Sequence, residues 1–141
     1  MSLLRSMRTY SKTNGSVIVV GENAHENDML IELHREAAPH RCVWMHVQDQ
    51  PSAHGFLTGP DPSPSNEDIR DCAALVKHWS KAKNEKCTTI MYTPLRNVSK
   101  KGCKAGQVTL KGDFRTVKSW GGERATAILT PLLELEVREK G

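Results

Sequence analysis

Arg96, Lys100, Lys101 and Lys104 crowd into one short stretch of this 141-residue chain, with Gly102 and Gly106 set among them. Glycine lets a backbone come close to a phosphate, and each lysine or arginine can neutralise one and release its counterion. The alternative for such a stretch is a solvated surface loop. More basic residues precede it: Arg70, Lys77, Lys81, Lys83 and Lys86. Residues 70–118 hold twelve Lys and Arg against three Asp and Glu, a local balance of +9. The remainder holds eight against thirteen, or −5, which leaves the whole chain at +4. Cations concentrated on one part of a small domain are the electrostatic footprint of a polyanion-binding surface.

A second group is aromatic. Trp44 and His46 alternate on one stretch, and His54 and Phe56 on the next. If a five-residue loop joins two paired strands here, all four side chains share a face; a four-residue loop would divide them between two faces. On one face they could stack on unpaired bases. The alternative puts Trp44 and Phe56 in the core and gives each histidine one backbone partner. An enzymatic alternative has His46 and His54 binding a metal with Asp49 or Asp71, or acting as acid and base. No Gly-x-Ser-x-Gly, Walker A loop or His-Glu-x-x-His accompanies them. No catalytic residue, metal ligand or cofactor is therefore assigned.

The elements that must position these groups follow from composition and pattern. A chain of this length fits one domain, and 38% hydrophobic with 26% charged residues is ordinary for a soluble one. The longest apolar run, Val17 to Val20, is far short of the ~20 residues of a membrane span. No secretory h-region lies near the start. The acid-free first sixteen residues, with Arg5, Arg8 and Lys12, have the composition of a transit peptide; the alternative is a loose terminus entering a first strand. Cys42, Cys72, Cys87 and Cys103 match no zinc spacing, so free thiols in a reducing, cytoplasmic setting are expected.

Thr9–Thr13 and Ser16–Val20 read as a hairpin closed by Asn14-Gly15 in a type I′ turn. A helix near 23–36 follows, with Met29, Ile31 and Leu33 as apolar contacts. Cys42–Val47 and Ser52–Thr58 read as strands. Ser65 caps a central helix over 65–83, whose buried face is Ile69, Cys72, Ala73, Val76 and Trp79 and whose exposed face carries Arg70, Lys77 and Lys81. Cys87–Tyr92, Gln107–Leu110 and Phe114–Trp120 are further strands. From Glu123 the tail suits an amphipathic helix, broken or kinked at Pro131, in preference to a strand over 133–138.

Several segments together resemble the NFACT-R domain. They are the run Asn14 to Leu30, Trp44-Met45-His46-Val47, Pro51-Ser52-Ala53-His54, Asp71 to Leu75, Trp79 to Lys83, Met91-Tyr92-Thr93 and Val98 to Val108. The likeness covers about residues 7–120, divided here into an NFACT-R-like domain over 1–120 and an amphipathic tail over 121–141. It argues against the transit-peptide reading. It implies an RNA-binding domain for tRNA or rRNA, found at the end of large proteins of ribosome-associated quality control and in small stand-alone relatives. The tail is too short and too Pro-interrupted for the coiled coil of those relatives.

The expected molecule is thus a single mixed α/β (α+β) domain with a mostly antiparallel sheet, a non-enzyme that binds RNA. Its expected basic surface joins helix 65–83 to loop 96–106: Arg70, Lys77, Lys81, Lys83, Arg96, Lys100, Lys101 and Lys104 for phosphates, with Trp44, His46 and His54 nearby. The alternative partners are proteins of the ribosome or translation machinery; no membrane is expected.

Overall fold

The structure is a computed structural model and describes residues 7–60 and 63–137. Seven strands form one fully antiparallel sheet in the order β8-β5-β3-β4-β2-β1-β9. They are β1 (Arg8–Ser11), β2 (Val17–Val20), β3 (Cys42–Val47), β4 (Gly55–Thr58), β5 (Cys87–Pro94), β8 (Arg115–Trp120) and β9 (Glu136–Val137). Two short strands, β6 (Val98–Ser99) and β7 (Thr109–Leu110), pair separately and close the base of the loop between them. Three helices complete the fold: α1 (Ala24–Ala37), α2 (Asn66–His78) and α3 (Glu123–Glu134).

The central strands are buried on both faces, which is why Val17 to Val20 is continuously apolar rather than alternating. On one face Ile18, Val20, Val43, Met45, Val47, Leu57 and Ile90 meet Ile69, Cys72, Ala73 and Val76 of α2, with Leu132 of α3 in the same cluster. On the other face Val19, Cys42, Trp44 and Phe56 meet Leu30 and Ile31 of α1, together with Leu95 and Val98 at the start of the basic loop. Within Cys42–Val47 the side chains alternate as a strand requires, Val43, Met45 and Val47 to the α2 side and Cys42 and Trp44 to the other.

Several local expectations need correction. Gly15 has positive φ (92°) but Asn14 does not, so the hairpin lacks a type I′ turn; Gly15 N–H closes back on the Lys12 carbonyl, and Lys12 N–H on Ser16. In α1 the buried positions are Asn27, Leu30 and Ile31, and His34 stacks on Phe56. Met29 and Leu33 are only half-buried. α2 is capped by Ser65, whose side chain accepts from Asp68 N–H, but it ends at His78 and gives way to a 3-10 turn over Lys81–Asn84. Ser52-Ala53-His54 is irregular rather than strand, and the second strand starts at Gly55. The tail is both of its alternatives in turn: α3 runs through Pro131 to Glu134, and β9 then pairs with β1. The tail's last four residues and the first six of the chain lie outside the described residues.

A buried ionic network ties the hairpin to α2. Asp68 accepts from Lys12, from Asn14 Nδ2 (3.0 Å) and from Ser16 Oγ (2.5 Å). Lys12 also pairs with Asp71 (2.8 Å).

Candidate nucleic-acid interface

Trp44 pairs with Phe56 across β3 and β4, a register that carries His46 and His54 onto the same face. This is the shared-face outcome: on the side covered by α1 the Trp44, His46 and His54 rings meet one another, and Phe56 stacks on His34. An open cleft of about 880 Å³ lies there, between the start of α1, the β3–β4 connection and the segment from Gly102 to Leu110. Trp44, His46 and Met91 form part of its floor.

The wall of the cleft is a loop made of two successive turns. Cys103 N–H bonds the Lys100 carbonyl and Gln107 N–H the Lys104 carbonyl, both at 3.0 Å. Gly106 has φ 77°, and a Cβ on it would stand 2.9 Å from Ala24 Cβ, so only glycine fits where the loop touches α1. Asp28 of α1 holds that contact by accepting from Gly106 N–H at 3.1 and 3.2 Å. Lys100 then clamps the loop from inside: its Nζ reaches Asp28 Oδ1 (2.8 Å), the Lys104 carbonyl (2.9 Å) and the Gln107 carbonyl (2.5 Å). An ammonium has three donors, and all three are engaged. At the other end of the loop, Arg35 of α1 donates to the Val98 carbonyl.

Beneath the loop the histidines are fixed by neutral hydrogen bonds. Trp44 Nε1–H donates to His54 Nδ1 at 3.1 Å. An indole can only donate, so Nδ1 must accept, and the ring proton sits on Nε2. That leaves Nε2 for the hydrogen bond His54 makes with the Gly106 backbone. Burial, reinforced by repulsion from His46, brings His54 down to about 3, so it is neutral at physiological pH. His46 donates from Nδ1 to the Val47 carbonyl at 2.6 Å and lies stacked on Trp44, with centroids 5.5 Å apart. Burial lowers its pKa as well, against the pull of that carbonyl.

The expected site residues therefore divide. Trp44 and His54 are buried, and although Trp44 borders the cleft it offers no face to a base; the half-buried His46 is the most exposed ring of the trio. Arg96, Lys101 and Lys104 are exposed and form no ion pair among the described residues. Lys100 is half-buried and fully bonded. Arg70 is 51% exposed but held by Asp71 at 2.9 Å and Glu67 at 3.7 Å. Lys77, expected on the exposed face of α2, is 3% exposed and caps the Lys83 carbonyl at 2.8 Å. Lys81 and Lys83 are exposed on the 3-10 turn after α2. The expected union of helix 65–83 with loop 96–106 does not form, because α2 covers one face of the sheet and the loop the other.

Asp71 is likewise across the sheet from the histidines, bonded to Lys12 and Arg70, so it cannot serve as their third ligand. Among the described residues no three His, Cys, Asp or Glu are grouped to hold a metal. All four cysteines are free. Sequence reasoning missed Asn27 and Asp28 as parts of the site. Asn27 Oδ1 accepts from His54 N–H at 3.4 Å, and nothing local to the helix marks either residue as a partner of a loop far along the chain.

Three comparisons bear on this geometry. A family model described as the NFACT protein RNA binding domain matches residues 6–115. The Rqc2 homolog RqcH of Bacillus subtilis (strain 168) is 32% identical over 104 residues, 73% of this chain and 17% of RqcH. The C-terminal part of the fibronectin/fibrinogen-binding protein from Streptococcus suis superposes with a TM-score of 0.75 at 26% identity, covering 94% of this chain and 49% of that one. The chain thus spans a small part of RqcH and about half of the streptococcal structure.

Proposed function

The chain belongs to the NFACT RNA-binding domain family, and from that premise we propose that it grips RNA, tRNA or rRNA, at the cleft walled by the 100–106 loop. Arg96, Lys101 and Lys104 take phosphates, and His46 meets a base or sugar edge from the floor. The observation that carries this reading is the state of the loop: Lys100 and Asp28 fix its backbone while the flanking cations form no ion pair among the described residues. A phosphate then replaces water on those cations instead of displacing a carboxylate. His46 and His54 act as neutral shape-setting groups, not as acid and base, and no catalytic residue is assigned. The similarity to RqcH supports reading the module as a cytoplasmic one that serves translation, in ribosome-associated quality control. No described helix is long and apolar enough to cross a membrane.

The test is fluorescence anisotropy with labelled tRNA, duplex RNA and duplex DNA at two salt concentrations. The variant is Arg96→Ala/Lys101→Ala/Lys104→Ala, which leaves the Lys100 clamp in place. The expected result is tight RNA binding by the parent and a salt slope lower by about 2 to 3 in the variant. RNA binding that the variant retains unchanged would overturn the cleft as its site.

A further inference from the structure

The sheet face that floors the cleft does not stop at β3. His46 pairs with Met91 of β5, and Met91 with Thr116 of β8, so the three lie in one row across the sheet. The next rows outward are Thr89 with Lys118 and Cys87 with Trp120. Alternation puts Thr116, Lys118 and Trp120 on this face, since Val117 packs against the α2 cluster and Ser119 is buried; Trp120, at the strand's end on the sheet edge, also borders a small pocket beside Lys77 of α2 and Leu129 of α3. Thr116 and Lys118 are exposed, and Trp120 is 42% exposed on an edge strand. Trp120 is not simply stranded there: the Arg124 guanidinium sits over its ring at 5.0 Å. Phe114, 43% exposed, stands immediately ahead of the strand, beside Arg115.

We propose that the outer face of β5 and β8 is a stacking platform for unpaired RNA nucleotides leaving the cleft, with Trp120 as its base-stacking residue and Lys118 as its phosphate contact. This rests on the RNA-binding reading above and extends it beyond the loop. Three observations select this occupant. The platform is continuous with the cleft floor, since Trp120 lies about 16 Å from His46 by strand spacing. Its charge suits a polyanion: Lys118 is the charged residue that β8 presents on this face, and the strand carries no acid. Its exposed aromatic already holds a cation on its ring, and a base added to the remaining indole surface would complete an arginine–indole–base stack. A duplex cannot lay its bases on such a surface, so unpaired nucleotides are the class it fits.

The probe is a twelve-nucleotide oligouridylate, followed by anisotropy and by tryptophan emission, with tRNA as the parallel ligand. Trp44 is buried, but the half-buried Trp79 lines the cleft itself, so the share of the quenching that belongs to Trp120 is the part lost in Trp120→Phe. The expected results are quenching on binding, about tenfold weaker oligouridylate affinity for Trp120→Ala, and a smaller loss for Lys118→Ala. Trp120→Phe should keep most of the affinity and lose most of the quenching, which separates stacking from misfolding. Oligouridylate binding without quenching, or with Trp120→Ala equal to the parent, would overturn the platform while leaving the cleft intact, as would binding of tRNA alone. Binding of neither RNA overturns both readings. A free protein that sediments as a dimer and dissociates on Trp120→Ala would assign the surface to a second copy of the chain.

Discussion

On the α2 side of the sheet, Lys12 is locked between Asp68 and Asp71, Arg70 lies against Asp71 and Glu67, and Lys77 is buried on a carbonyl. On the loop side, Lys100 and Arg35 are engaged in this way, while Arg96, Lys101 and Lys104 form no ion pair among the described residues. Both sides are basic, but their cations do different work. A cation that already satisfies a carboxylate gains little from a phosphate, because the old partner must be released first. One with only water around it gains the full counterion release. Charge density along the sequence therefore says where a polyanion surface could be, and pairing decides where it is.

The comparison breaks most sharply at Asp68. This carboxylate is buried with three donors on it, so Asp68→Ala leaves Ser16 and Asn14 without their acceptor and Lys12 with Asp71 alone, and should cost about 2 kcal/mol of stability, read as a lower urea midpoint. RNA affinity of the folded fraction should be unchanged. If Asp68→Ala weakened RNA binding and left the midpoint alone, the division of labour between the two faces would be wrong.

Acid titration sharpens the same contrast. Burial alone would raise the Asp68 carboxyl, but hydrogen bonds from Lys12, Ser16 and Asn14 outweigh it and hold the group below its ordinary 3.8. Its stability is present above that value and is lost as pH falls below it. His54 acts earlier. The unfolded chain takes a proton on this histidine near 6.5, whereas the fold keeps it neutral down to about 3. The unfolded state thus binds the extra proton across that window, and stability falls as pH drops from about 6.5 toward 3. His34 and His46, whose pKa values burial also lowers, add to the slope. His54→Gln should flatten the fall of the urea midpoint between these limits without abolishing it. An unchanged slope would mean that the Trp44–His54–Gly106 network under the loop does not persist in solution.

These two regions were not equally legible. α2 announced itself through the Ser65 cap and the spacing of Ile69, Cys72, Ala73 and Val76, all local signals. The shared face of Trp44, His46, His54 and Phe56 was legible only up to the loop length, which sets the register by parity. α1 was blurred because two of its inward positions are polar: Asn27 meets the distant His54 N–H, and His34 bonds the Leu30 carbonyl one turn back while its ring stacks on the distant Phe56. The union of helix and loop failed for a different reason. Closeness in sequence is not closeness in space here: α2 packs on one face of the sheet and the start of the basic loop on the other, and no local pattern encodes the face on which a connection lies.

Lys77 and Arg70 give the smallest expected effects and the cleanest control. They fall seven residues apart on α2, which put both on one exposed face by periodicity. Yet Lys77 turns its stem into the packing between α2 and the following turn and ends on the Lys83 carbonyl. Lys77→Met keeps the stem and removes the donor, which should cost about 1 kcal/mol. Arg70→Ala removes half-exposed pairs and should cost less than about 0.5 kcal/mol. Neither should move RNA affinity or its salt slope, whereas Lys101→Ala and Lys104→Ala should each lower the slope by about 0.7 to 0.9 with no change in melting temperature. A loss of slope in Arg70→Ala matching that in Lys101→Ala would mean the RNA wraps around the sheet edge onto α2, and that the carboxylates of Asp71 and Glu67 release their arginine to it.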